Sequence, residues 1–74
     1  MPRRRVRVAF TDKVGLDLID GFVDSNAFGL GTAYRADDKM VVFVRAANES
    51  EYKILREQLD MWVSQGIATY EEQT

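Results

Sequence analysis

The chain contains no cysteine, no histidine and a single proline, and its unbroken apolar stretches are only a few residues long. Without cysteine there is neither a disulfide nor a thiolate nucleophile, and zinc loses its most common structural ligands. Without histidine the side chain most used as a general base near neutral pH is also missing. No serine or lysine stands in an elbow or triad pattern that would replace them. The sequence therefore points to a protein that is not an enzyme and that needs no cofactor. Nothing approaches the roughly 20 apolar residues of a membrane-spanning helix, so no membrane partner is expected. The opening Met1-Pro2-Arg3-Arg4-Arg5 looks like the basic head of an export signal, but the apolar stretch after it, Val6 to Phe10, is short and interrupted by Arg7. With cysteine absent as well, the expected location is the cytoplasm.

What is present is short and strongly patterned. At 74 residues of uniform composition the chain reads as a single domain, 1–74. A domain of that size buries only about 60% of the surface its unfolded form exposes. With no disulfide or metal to staple so small a core, packing or a partner chain must supply stability, and a homo-oligomer is expected.

Arg5 to Phe10 alternates, with Val6, Val8 and Phe10 pointing one way and Arg5, Arg7 and Ala9 the other, the pattern of a half-buried strand. Thr11 reads as the N-cap of a first helix, with Asp12 in its first turn and Val14, Leu18, Ile19, Phe22 and Val23 at helical spacing up to Ser25-Asn26. Gly21 inside that helix is read as a close helix-on-sheet contact. A second strand is predicted from about Ala27 to Ala36, with Phe28, Leu30, Thr32 and Tyr34 on one face and Gly29, Gly31, Ala33 and Arg35 on the other. Gly29-Leu30-Gly31 is not a phosphate loop, because such a loop follows a strand and opens a helix; its glycines mark a bulge or a close backbone approach. Asp37-Asp38-Lys39 is a tight hairpin turn into Met40 to Val44, which is apolar on both faces and so belongs in the middle of a sheet. Asn48 and Glu51 form a capping box that opens a second helix, whose stripe is Tyr52, Leu55, Leu59, Trp62 and Val63. Gly66 followed by Ile67 reads as a Schellman ending, and a short last strand runs from Ile67 to about Glu72. Strand, helix, strand, strand, helix, strand is the order of the α+β, ferredoxin-like βαββαβ fold: a four-stranded antiparallel sheet with two helices on one face and the first and third strands central. That architecture hosts many unrelated activities, so function has to be argued from a site.

With the larger apolar side chains turned to the helices, the open face of the sheet is expected to carry Arg5, Arg7 and Ala9, then Val41, Phe43 and Arg45, then Gly29, Gly31, Ala33 and Arg35. Most acids fall on the helices and the hairpin turn, so the net charge of −2 conceals a separation of sign. Arg5, Arg7, Arg35, Val41, Phe43 and Arg45 are the candidate binding residues. Arginine beside aromatic side chains is the favoured composition of protein interfaces. The leading reading is thus a small non-catalytic interaction or regulatory protein that self-associates. It binds a macromolecular partner, in the first instance another protein, through this face or through the acidic helix face. A cationic sheet with an exposed ring also suits a single strand of RNA or DNA, although the first strand offers Arg7 and Ala9 where a second stacking ring would sit. A third reading is a sensor of a small anionic ligand at a subunit junction. Residues 1–4 read as a solvated, flexible basic end. Asp17, Asp20 and Asp24 share one helix face, which reads as solvated surface rather than a metal site. Ile54 and Met61, with Gln58 between them, form an exposed apolar strip on the second helix.

Overall fold

The computed structural model describes residues 4–73. Strand β1 (Arg5–Phe10), helix α1 (Leu16–Asp24), strands β2 (Gly31–Arg35) and β3 (Val41–Ala46), helix α2 (Glu49–Ser64) and strand β4 (Ala68–Gln73) follow in that order. The strands form one antiparallel sheet in the order β2-β3-β1-β4. This is the ferredoxin-like arrangement that the sequence patterns imply, with β1 and β3 in the centre. Among the described residues no helix is long and apolar enough to cross a membrane.

The core lies between the sheet and the helices. Val6, Val8 and Phe10 of β1, Val42 and Val44 of β3 and Ala33 of β2 meet Ile19 and Phe22 of α1 and Tyr52, Leu55, Leu59 and Trp62 of α2. Phe10, Phe22 and Phe28 surround Trp62 with ring centroids 5.6, 5.4 and 6.0 Å from it, in the tilted and edge-to-face geometries that aromatic quadrupoles favour. Leu18 and Val63, counted in the apolar stripes of the two helices, are exposed instead.

Helix α2 is bounded as its sequence implies. The Asn48 side chain accepts a hydrogen bond from the Glu51 N–H (2.8 Å), satisfying one of the orphan donors of the first turn. At the other end Gly66 has φ +73°; its N–H donates to the Val63 carbonyl (3.0 Å) and that of Ile67 to the Trp62 carbonyl (2.9 Å), the paired bonds of a Schellman ending.

Helix α1 begins later than its sequence suggests. Its cap is Gly15, with no side-chain bond to the first turn, and Val14 is buried in the segment before it. The Thr11 hydroxyl accepts from the Lys13 N–H (3.4 Å) in a turn that ends before α1 begins, and it donates to the Gly66 and Ile67 carbonyls (2.9 and 3.0 Å) where α2 gives way to β4. Gly21 is exposed, and a Cβ there would have no atom within 4 Å, so the close helix-on-sheet contact is absent.

Strand β2 also starts later, at Gly31 rather than Ala27. Asn26, Ala27, Phe28 and Gly29 form a run of left-handed residues, with φ of 55, 57, 60 and 82°. Left-handed backbone costs roughly 1–2 kcal/mol for each residue that carries a Cβ. Full burial of Ala27, the contact of Phe28 with Phe22 (5.3 Å between centroids) and bonds from the Ala27 N–H to the Phe22 carbonyl (2.8 Å) and from the Phe28 N–H to the Ser25 hydroxyl (3.0 Å) hold the run in place. Alternation cannot be carried through such a turn, so the faces of β2 are the reverse of those expected.

Candidate functional site

The register of the sheet arranges its open face in rows that cross all four strands. One row is Tyr34 of β2, Phe43 of β3, Arg7 of β1 and Glu71 of β4; the next is Thr32, Arg45, Arg5 and Gln73. A third brings together Val41, Ala9 and Thr69. Neighbouring rows are two residues apart along each strand, roughly 6.8 Å, and neighbouring strands about 4.8 Å apart. The first row is aromatic at one end, with Tyr34 stacked on Phe43 at 5.7 Å between centroids and 30° between planes. Phe43 is half-buried under this stack, whereas Tyr34 is 48% exposed and presents a ring to solvent. The second row places Arg5 directly opposite Arg45, both exposed. Like charges at directly opposite positions destabilise a strand pair. Among the described residues none of Arg5, Arg7 and Arg45 forms an ion pair, although Glu71 is the register partner of Arg7. Near the β2–β3 hairpin a shallow depression of about 490 Å3 is lined by Arg7, Tyr34, Val41, Phe43, Asp37 and Asp38.

The structure brings Arg5, Arg7, Phe43 and Arg45 together as the sequence implies. Val41 points to the same side but is only 4% exposed, so it forms part of the floor. Arg35 does not join them. Ala33 is buried in the core and Tyr34 lies opposite Phe43, so Arg35 falls on the helix side of β2, where its guanidinium pairs with Asp20. Arg35 still borders the depression, but its charge is neutralised there. The open face thus has three arginines instead of four, and two rings instead of one. Tyr34 is the residue that the sequence pattern assigned to the wrong side. The informative signal was Gly31: a Cβ on it would lie 2.1 Å from the Arg45 carbonyl oxygen, which ties the start of pairing, and hence the face of every later residue, to that position.

Two further surfaces lie on the helix side. Arg4 was expected in a flexible end, of which residues 1–3 fall outside the described residues. Its guanidinium instead donates to Glu49 and Glu72 (both 3.0 Å) and sits 4.9 Å from the centre of the Tyr52 ring. Those carboxylates raise the Arg4 pKa above its ordinary value. Among the described residues the buried Tyr52 hydroxyl makes no hydrogen bond of ordinary geometry, yet the Glu72 carboxylate lies close enough to act on it; desolvation first, then that carboxylate, pushes its pKa up to about 12. On the other side of α2, a groove of about 400 Å3 is lined by Phe28, Leu30, Ile54, Glu57, Gln58 and Met61. It contains the exposed strip read from the sequence, widened by the Phe28 ring that the left-handed turn holds outward. Among the described residues no set of three acidic side chains converges on a point where a metal ion could sit. Asp20 is occupied by Arg35.

Compared with protein-family models, with curated proteins and with solved structures, the chain matches none.

Proposed function

We propose that this protein is a non-catalytic interaction module whose open sheet face binds an anionic macromolecular partner, with Arg5, Arg7, Phe43 and Arg45 as contact residues and Tyr34 beside them. The observation that carries this reading is the pairing of Arg5 with Arg45 across adjacent strands, with no carboxylate bound to either among the described residues. Such a pair weakens the sheet by itself and becomes favourable once an anion lies over it. Arg4 and Arg35 differ in this respect, since both are held by acidic side chains of the same chain. Apart from a corner of the helix side where Arg4, Lys53 and Arg56 gather, the acids of α1 and α2 face the other way and repel an anion, which favours the sheet for the same partner. The exposed stack of Tyr34 on Phe43 adds apolar area of the kind that anchors an interface.

Self-association belongs in the same proposal but on the second surface, the groove of Phe28, Leu30, Ile54 and Met61. A two-fold contact through the sheet face would set Arg5, Arg7 and Arg45 against their own copies, and burying unpaired charges costs several kcal/mol each.

Titration of isotope-labelled protein with heparin, a generic polyanion, tests the face independently of the natural partner. Backbone amide shifts are expected at Arg7, Phe43 and Arg45 and not along α1. Shifts confined to the Arg4, Lys53 and Arg56 corner, or no binding at low salt, would remove the sheet face from consideration.

A further inference from the structure

We infer that the anionic partner of the open sheet face is a single strand of nucleic acid, whose bases stack on the Tyr34–Phe43 row and whose phosphates lie over the Arg5–Arg45 row. The inference rests on the proposed role of that face and adds the chemistry of its occupant. Three features of the surface select this chemistry. First, Tyr34 and Phe43 form an offset stack inclined by 30°, and the Tyr34 ring at its outer end is half exposed, so a flat π-surface is left open to solvent. A nucleobase extends such a stack, and base-on-ring stacking accepts any base because each has a π-face. A carboxylate side chain is repelled there by the negative face of the ring. Second, the basic row lies two residues along the strands from the aromatic row, roughly 6.8 Å away. That offset accommodates a base on one row and its own sugar-phosphate on the next, so both rows are used by one chain crossing the sheet. Third, among the described residues no basic helix or ribbon projects from the face, whereas reading a duplex in its major groove requires one. Helices α1 and α2, which do project, carry Asp17, Asp24, Glu57 and Asp60 and are the wrong sign for a second phosphate strand.

The test is fluorescence anisotropy with labelled oligo-U and oligo-dT of about ten nucleotides, starting at about 50 mM salt. Two arginine–phosphate contacts, at Arg5 and Arg45, give a log–log salt slope of about −1.4 for a single strand. Arg45→Ala is expected to reduce that slope by about 0.7. Tyr34→Ala, at a half-exposed position of an edge strand, is expected to weaken binding roughly tenfold to a hundredfold while leaving the slope unchanged. Arg56→Ala, on the helix side, should leave both values as they are. A preference for oligo-U or for oligo-dT identifies the natural strand as RNA or DNA, and either supports the inference. Absence of binding to both probes at the lowest salt overturns it, as does binding that is indifferent to Tyr34→Ala in a variant whose circular dichroism is native. If heparin still perturbs the sheet face when the oligonucleotides fail, the face binds an acidic protein and only the nucleic-acid assignment falls. If heparin fails too, the reading of the face falls with it.

Discussion

Gly31 is where the absence of a side chain has the largest structural effect. A Cβ at this position would overlap the Arg45 carbonyl at 2.1 Å and the Ala46 Cα at 2.9 Å, both of them backbone atoms that cannot rotate away. Gly31→Ala is accordingly expected to cost about 2–3 kcal/mol, read from the urea midpoint. Gly29→Ala meets no neighbour within 4 Å but forces a Cβ onto φ +82°, which should cost about 1 kcal/mol through the backbone alone. Gly21→Ala, inside α1 with equally free surroundings and no unusual φ, should stabilise by about 0.5–1 kcal/mol. The contrast among these three substitutions separates steric, conformational and propensity effects in one chain. Tyr52 makes a fourth prediction at this scale. Its phenol ionises near 10 in the unfolded chain and at about 12 in the folded one. Between those values the unfolded chain has released a proton that the folded chain still holds. Stability is therefore complete below pH 10 and is lost as pH rises through about 12, by roughly 2 kcal/mol. Tyr52→Phe should abolish that share of the alkaline loss. At neutral pH it should cost no more than about 1 kcal/mol, because the hydroxyl it removes lies near the Glu72 carboxylate but makes no hydrogen bond of ordinary geometry among the described residues. Urea midpoints of both proteins at pH 8 and about pH 11 decide the matter; an unchanged alkaline loss in the variant contradicts it.

Among the elements, α2 and α1 differ in how far their ends could be read from sequence. Both ends of α2 carry their own chemistry, the Asn48 side chain at one and Gly66 with Ile67 at the other, and each makes its bonds within a few residues. Asn48→Ala should cost about 1 kcal/mol, visible as a lower urea midpoint with an unchanged slope. The start of α1 is not legible because the cap-like bond from the Lys13 N–H to Thr11 closes a separate turn ahead of Gly15, and the carbonyls that Thr11 donates to lie 55 and 56 residues away, where no local pattern reports them. β1 and β3 were legible for a different reason. They are extended over their whole length, so period-two alternation assigned Arg5, Arg7, Phe43 and Arg45 to the correct side. β2 is not legible in this way, because Phe28, the first large apolar residue of its pattern, lies in the left-handed turn and not in the strand. A single misplaced origin exchanged Tyr34 and Arg35 between the faces, as any one-residue slip does. Four of the six candidate binding residues therefore stand together on the accessible face, Val41 lies beneath it, and Arg35 is bound to Asp20.

On the scale of the whole molecule the element order implies the topology, and the two proposed contacts fall on surfaces of different chemistry. The Arg5–Arg45 row gives the sheet face its positive end, Glu71 and the Asp37-Asp38 turn temper the row beside it, and the apolar groove beside α2 lies apart from both. Self-association through that groove predicts a dimer in light scattering at micromolar concentration, converted to monomer by Ile54→Asp with Met61→Asp. Because both side chains are more than half exposed, the double variant should keep its fold. A wild-type protein that is monomeric under these conditions would end the dimer reading without touching the proposal for the sheet face.

The register pairing of Arg5 with Gln73 sets the first residue of β1 beside the last residue of β4, within about 5 Å. A tether attached ahead of β1 or behind β4 therefore emerges at the basic row, and immobilising the protein through either one presses Arg5 and Arg45 toward the support. Joining the two by a short linker and reopening the chain ahead of the exposed Gly15 would give a circular permutant whose attachment points lie at the opposite end of the sheet, with the basic row unobstructed.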